Sequence, residues 1–124
     1  MLKGDFFTIA NIQKEPEVLV EITLNPAHKV YRGHFAAQPV APGVCITQMF
    51  KEVVMELTEK DLVLVQGDNL RFSSLLDPNV NPTVVFKVHI IEEEDGSCKA
   101  KGILTYEKIK FFTIQAKFQE RQYF

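Results

Sequence analysis

The chain has 124 residues and a formal net charge of −2. That length suits one domain with a single core, and that charge gives no global basic field to draw nucleic acid. At 46% hydrophobic residues the composition is ordinary for a globular protein, and Cys45 and Cys98 alone make no disulfide framework, so a reducing cytoplasm is expected.

The N-terminal stretch MLKGDFFTIANIQKEPE has no continuous apolar run ending in a small-residue cleavage site, so no signal peptide is expected. No apolar run approaches the roughly 20 residues that span a bilayer. The protein reads as soluble, cytoplasmic and a single domain over residues 1–124. In EVLVEITLN, Val18, Val20, Ile22 and Leu24 alternate with Leu19, Glu21 and Thr23, which predicts a half-buried strand closed by Asn25-Pro26. Next comes GHFAAQPVAPGVCITQ, residues 33–48. From Pro42 the period becomes helical: Val44, Cys45, Ile46, Met49, Phe50, Val53, Val54, Met55 and Leu57 are apolar. Thr47, Gln48, Lys51, Glu52 and Glu56 hold the polar positions. A helix this apolar is expected to be largely buried.

Beyond it, DLVLVQ and NLRFSS read as two short strands. TVVFKVHII alternates Val84, Phe86, Val88 and Ile90 against Thr83, Val85, Lys87 and His89. Asp95-Gly96 predicts a hairpin turn with positive φ at both central positions. SCKAKGILTYE and KIKFFTIQAKFQ follow as strands, the last with Phe112, Ile114, Ala116 and Phe118 on one side. One early buried helix followed by consecutive antiparallel strands predicts an α+β fold, a sheet wrapped around a central helix.

The chemistry concentrates in residues 33–48. Pro39 and Pro42 fix φ and push Gln38 and Ala41 into extended backbone, and Pro42 suits the first helical turn. Gly43 lets a ligand approach the main chain closely. The first helical N–H groups lack internal partners and lie at the positive end of the helix dipole, where they can polarise a carbonyl oxygen. With His34 upstream as a base, the stretch is equipped to remove a proton α to a thioester carbonyl.

The run His34-Phe35, Pro39-Val40-Ala41-Pro42-Gly43-Val44 resembles the β-hydroxyacyl-acyl carrier protein dehydratases, which carry His-Phe-Pro…Pro-(Val/Ile)-Met-Pro-Gly-Val. DNLRF, Asp68 to Phe72, is similar to that family's later motif ending in Arg-Phe, with Pro78 as its following proline, and the resemblance spans roughly Asn25 to Phe118. It implies a hotdog fold and a site built across a dimer. It also implies His34 as the base, Gly43 as the carbonyl donor, Phe35 and Val44 as substrate-binding neighbours, and the catalytic acid position at Gln48. The substrate would arrive on the 4′-phosphopantetheine of acyl carrier protein or on coenzyme A, with no metal or redox cofactor.

This sequence departs from the pattern where the acid belongs. A glutamine holds a water or hydroxyl but has no dissociable proton at physiological pH. Ala36 and Ala41 also replace the family's Pro and Met, and Asn79-Val80 replaces Gly-Asp. Three readings stay open: a divergent dehydratase in which His34 makes both proton transfers and Gln48 orients the hydroxyl; one half of a heteromer whose acid comes from a second hotdog protein; and a non-catalytic thioester-binding or scaffold subunit. A hotdog thioesterase is more distant, since no activating carboxylate lies within the motif.

Each residue also has a plainer reading. Gly43 serves tight packing at the helix start as well as ligand approach, and Gln48 is either a site group or a satisfied polar group at the dimer interface. Cys45 reads as packing rather than as a Cys–His pair with His34. His28 and His89 read as structural, since neither makes a metal-ligand spacing. Glu92 to Asp95 reads as a solvated hairpin end. An acidic carrier protein would need a basic dock, for which Lys29, Arg32, Arg71, Lys108 and Lys110 are candidates.

Overall fold

The computed structural model describes residues 1–32 and 39–122. Two strands, β1 (Phe7–Gln13) and β2 (Val18–Leu24), are followed by a 3-10 turn at Lys29–Tyr31 and one helix, α1 (Gly43–Thr58). Four further strands complete the chain: β3 (Leu62–Phe72), β4 (Thr83–Glu92), β5 (Cys98–Tyr106) and β6 (Ile109–Glu120). All six strands share one sheet, ordered β1-β2-β4-β5-β6-β3, and every neighbouring pair is antiparallel.

Alternation explains which face packs on the helix. The registers Val20↔Phe86, Phe86↔Leu104 and Leu104↔Phe112 line up buried side chains across four strands. Beside that row, Val88, Gly102 and Ile114 make a second. The helix lays Phe50 into this surface, its ring 5.5 Å from Phe86 and 6.2 Å from Phe118. A Cβ at Gly102 would stand 2.2 Å from Phe50 Cε1, so the ring occupies the space that any other residue at 102 would fill. This is the expected α+β arrangement, one helix on an antiparallel sheet.

Four local features differ from the sequence reading. β1 was not predicted, because a register shift between Ile9 and Asn11 breaks its alternation. DLVLVQ and NLRFSS belong to one long strand, β3, with irregularities at Leu64/Gln66 and Asp68/Arg71 and positive φ at Asn69. The intervening polar residues give it the composition of a loop. In the β4–β5 turn only Gly96 of the Asp95-Gly96 pair has positive φ. Gly96 N–H donates to the Glu93 carbonyl, while Asp95 Oδ1 accepts from Ser97 N–H and Oγ–H at 2.9 and 2.6 Å. The turn is therefore a side-chain-braced type with one left-handed residue, rather than a primed two-residue turn.

The fourth difference is on α1. Val44, read among the apolar positions, is 79% exposed, whereas Glu52, read as polar, is 1% exposed. Among the described residues no helix is long and apolar enough to cross a membrane.

Candidate functional site

Pro42 is the N-cap of α1 in extended backbone (φ −64°, ψ 143°), so the helix begins at Gly43, one residue later than expected. The Pro42 carbonyl accepts from Cys45 and Ile46 N–H at 3.0 and 3.1 Å, and among the described residues the N–H groups of Gly43 and Val44 have no acceptor. These free amides mark the positive end of the helix. Ala41 N–H donates to the Leu76 carbonyl at 2.8 Å, which ties the approach to the helix to the loop after β3.

Phe72, at the end of β3, closes over the same spot. A Cβ on Gly43 would lie 2.8 Å from Phe72 Cζ, and the Phe72 ring packs on Phe112 with centroids 5.0 Å apart. A side chain at 43 would thus have to displace the half-exposed Phe72 ring. The two stretches that carried the family resemblance, around Gly43 and around Phe72, meet in space.

An open groove of about 680 Å³ runs between the outer face of α1 and β3. Gly43, Val44 and Gln48 line it from the helix, and Leu64, Leu70 and Phe72 from the strand. Three of the expected site residues therefore share one groove; His34 and Phe35 lie outside the described residues. A second hollow of about 600 Å³ lies against the C-terminal end of α1, at Leu57 and Thr58, and none of the expected site residues lines it.

Gln48 donates from Nε2 to Glu52 Oε2 at 2.9 Å. Both Glu52 oxygens also accept main-chain N–H groups, Oε2 from Leu2 and Oε1 from Lys3, each at 2.8 Å. Sequence reasoning missed Glu52 as part of this cluster; its spacing of four from Gln48 on one helix was the available signal. It also missed Leu64 and Leu70 as a groove wall, since exposed apolar residues on a strand have no distinctive pattern.

The other titratable groups behave structurally. Burial pushes the Cys45 thiol up, the opposite of a reactive thiolate, and its side chain packs at the edge of the core. Burial, followed by the charges of Cys45 and Asp77, pushes Tyr31 up to about 12. His28 is buried, its Nδ1 accepting from Val30 N–H at 3.0 Å and its Nε2 standing 3.2 Å from Asp5 Oδ2. His89 is on the exposed face of β4, paired with Lys101. Among the described residues, no group of three or more His, Cys, Asp or Glu gathers to hold a metal ion.

A family model described as ApeI dehydratase, of the ApeI-like family, matches residues 10–101. Among solved structures, the dehydratase heterocomplex ApeI:P from Xenorhabdus doucetiae is 17% identical with a TM-score of 0.64, over 90% of this chain and 96% of that chain. A sigma28-regulated virulence protein from Campylobacter jejuni is 15% identical with a TM-score of 0.68, over 95% of this chain and 85% of that one. A hypothetical thioesterase with coenzyme A from Streptococcus pneumoniae is 10% identical with a TM-score of 0.65, over 94% and 88%. At these identities the structural matches establish a shared hotdog fold. No curated protein matches the sequence.

Proposed function

The chain belongs to the ApeI-like dehydratase family, and from that premise we propose that it eliminates water from a 3-hydroxyacyl thioester in a site completed by a second hotdog subunit. The product is a trans-2-enoyl thioester, carried on acyl carrier protein or coenzyme A. The supporting observation is the groove that gathers the free N–H of Gly43, the Gln48 amide and an apolar β3 wall on one open face.

In this reading His34 takes the α-proton, and the electron pair of that C–H bond becomes the new C=C bond. Gly43 N–H holds the thioester oxygen as negative charge develops on it. The β C–O bond breaks, and the hydroxyl leaves as water with a proton from a carboxylic acid of the second subunit. Gln48 contacts the hydroxyl without supplying that proton. General-acid help is typically worth about 10²–10⁴-fold, so the chain alone turns over slowly.

In this reading the second subunit docks on β3. It is an edge strand, and Val63, Leu64, Val65, Leu70 and Phe72 along it are between 37% and 53% exposed, an apolar run that isolated domains rarely leave uncovered. A related hotdog protein is described as a dehydratase heterocomplex, which supports a hetero-partner over two copies of this chain. Hydrolysis of the thioester has less support. Glu52, the carboxylate adjoining Gln48, is buried and engaged by three donors, so it is poorly placed to activate a water.

The test is turnover of 3-hydroxyacyl-coenzyme A and 3-hydroxyacyl carrier protein by the chain alone and with a hotdog subunit that has Glu or Asp at the position of Gln48. Mixing is expected to raise enoyl formation by about 10²-fold or more, and His34→Ala to abolish it. Gln48→Glu is expected to raise the activity of the chain alone. The reading fails if no enoyl product forms in any mixture and Gln48→Glu changes nothing; tight thioester binding without turnover would mark a binding subunit instead.

A further inference from the structure

We infer that Glu52 is a positioning residue that locks the Gln48 amide with its carbonyl oxygen available to the groove, so that the site selects a hydroxyl over a ketone at the β-carbon. The inference rests on the dehydratase reading for the ligand and on the Gln48–Glu52 geometry for the selection.

The donors and acceptors around an amide decide which way it faces. An ionised carboxylate only accepts hydrogen bonds. Glu52 already accepts main-chain N–H groups from Leu2 and Lys3 at 2.8 Å, a pattern that calls for both carboxylate oxygens to act as acceptors. The Gln48 end that meets Glu52 Oε2 at 2.9 Å must therefore be the NH₂. Flipping the amide would set two oxygens against each other in a buried site, where the repulsion is poorly screened.

What remains of Gln48 is Oε1. Among the described residues no donor reaches it, and Gln48 lines the groove. The groove is thus offered an acceptor with no proton. A 3-hydroxyl donates to such a group, whereas a 3-oxo group brings a second lone pair and gains nothing. Sites built around one hydrogen-bond polarity discriminate in this way because the mismatched partner leaves a polar group unpaired. The same polarity makes Gln48 unable to donate to the departing oxygen, which is why the acid must come from elsewhere.

The lock reaches beyond the helix. Leu2 and Lys3 precede the span matched by the dehydratase family, residues 10–101, so the main chain that holds Glu52 belongs to a part of this protein outside the match. A buried carboxylate is costly to desolvate unless fully paired, and three donors within 2.9 Å pair it.

The experiment compares binding, by titration calorimetry on the full chain, of two hydrolytically inert pantetheine thioethers of equal length, one 3-hydroxyacyl and one 3-oxoacyl. The native chain is expected to bind the hydroxyl form at least tenfold more tightly. In Glu52→Gln, one end of the new amide is an NH₂ set against a main-chain N–H, Leu2's or Lys3's, that a Glu52 oxygen now accepts, so the hold on Gln48 is broken. The Gln48 amide is then free to turn either end to the groove, and the preference is expected to fall toward parity. A purely structural Glu52 would weaken both ligands alike. Gln48→Met, which leaves Glu52 in place, is likewise expected to lose the preference, and decides the matter if Glu52→Gln does not fold.

Equal affinities in the native chain, or an unchanged preference in a folded Glu52→Gln protein, overturn the inference while leaving the dehydratase reading intact. If neither compound binds any form, that reading fails. The inference is then decided by the scalar coupling across the hydrogen bond between Gln48 Nε2 and Glu52 Cδ in the labelled native protein: its presence supports the lock, and its absence overturns it.

Discussion

Tyr31 shows how much one buried group can report. Its ring is 6% exposed and stacks on Phe6 at 6.1 Å, and among the described residues its hydroxyl has no hydrogen-bond partner. Removing an unpartnered hydroxyl leaves no acceptor stranded, so Tyr31→Phe is expected to be neutral or slightly stabilising at pH 7. A loss above about 1 kcal/mol in a denaturant titration would show that the hydroxyl has a partner. Its pH dependence has a definite sign. The folded protein holds this proton up to about 12, above the ordinary value of 10.0, whereas the unfolded chain releases it near the ordinary value. The associated stability is complete below the unfolded value and is lost as pH climbs from there toward the folded one. The denaturation midpoint should fall across that window, and less steeply in Tyr31→Phe. Gly43 gives a second residue-level expectation. Gly43→Ala keeps the backbone N–H but puts a methyl 2.8 Å from Cζ of the half-exposed Phe72 ring, so it should cost up to about 1 kcal/mol of stability as the ring moves aside. Combining it with Phe72→Leu should cost less than the sum of the two, because both act on one contact.

Among the elements, α1 and β5 depend on each other through Phe50 and Gly102. The expected outcome of Gly102→Ala is a loss of about 1–3 kcal/mol or more, because its Cβ would meet the ring at 2.2 Å with sheet on one side and helix on the other. Gly67→Ala is the matched control in β3. Its Cβ would meet only the end of the Leu70 side chain, at 3.1 Å, so a change within about 0.5 kcal/mol is expected. If thermal unfolding gives equal losses for both, the seat of Phe50 is softer than its geometry. The helix also ends without glycine: Glu59 takes the left-handed C-cap position at φ 56°, a conformation that costs a side-chain-bearing residue about 1–2 kcal/mol.

For the whole molecule, the sheet order leaves β1 and β3 as edges, and β3 is the edge with exposed apolar residues beside the groove. Val65 is 53% exposed, so Val65→Lys should change the stability of the fold by no more than about 0.5 kcal/mol. It should nevertheless shift sedimentation of the proposed complex with a second hotdog subunit toward separate chains, because a lysine on an edge strand opposes pairing. Unchanged assembly would move the interface away from β3.

Much of the architecture was legible in the sequence because its cause is local. Alternation in β2, β4 and β6 and the apolar helical period of α1 are set by residues a few positions apart, and each element formed where that pattern stood. The motif around Gly43 and its counterpart ending in Phe72 likewise pointed to a hotdog dehydratase before any contact was known. Tertiary structure decided what no short window holds. β3 is one strand because β6 pairs along its length despite the polar residues at its centre. The space beside Gly43 is taken by Phe72 from another element, and that beside Gly102 by Phe50. Glu52 sits on a polar position of the helical period, and that period gave no sign that main-chain N–H groups 50 and 49 residues away would bury it. The physical reason is the same in each case: periodicity records which face of an element is apolar, whereas the partner that meets that face is fixed only when the chain closes on itself.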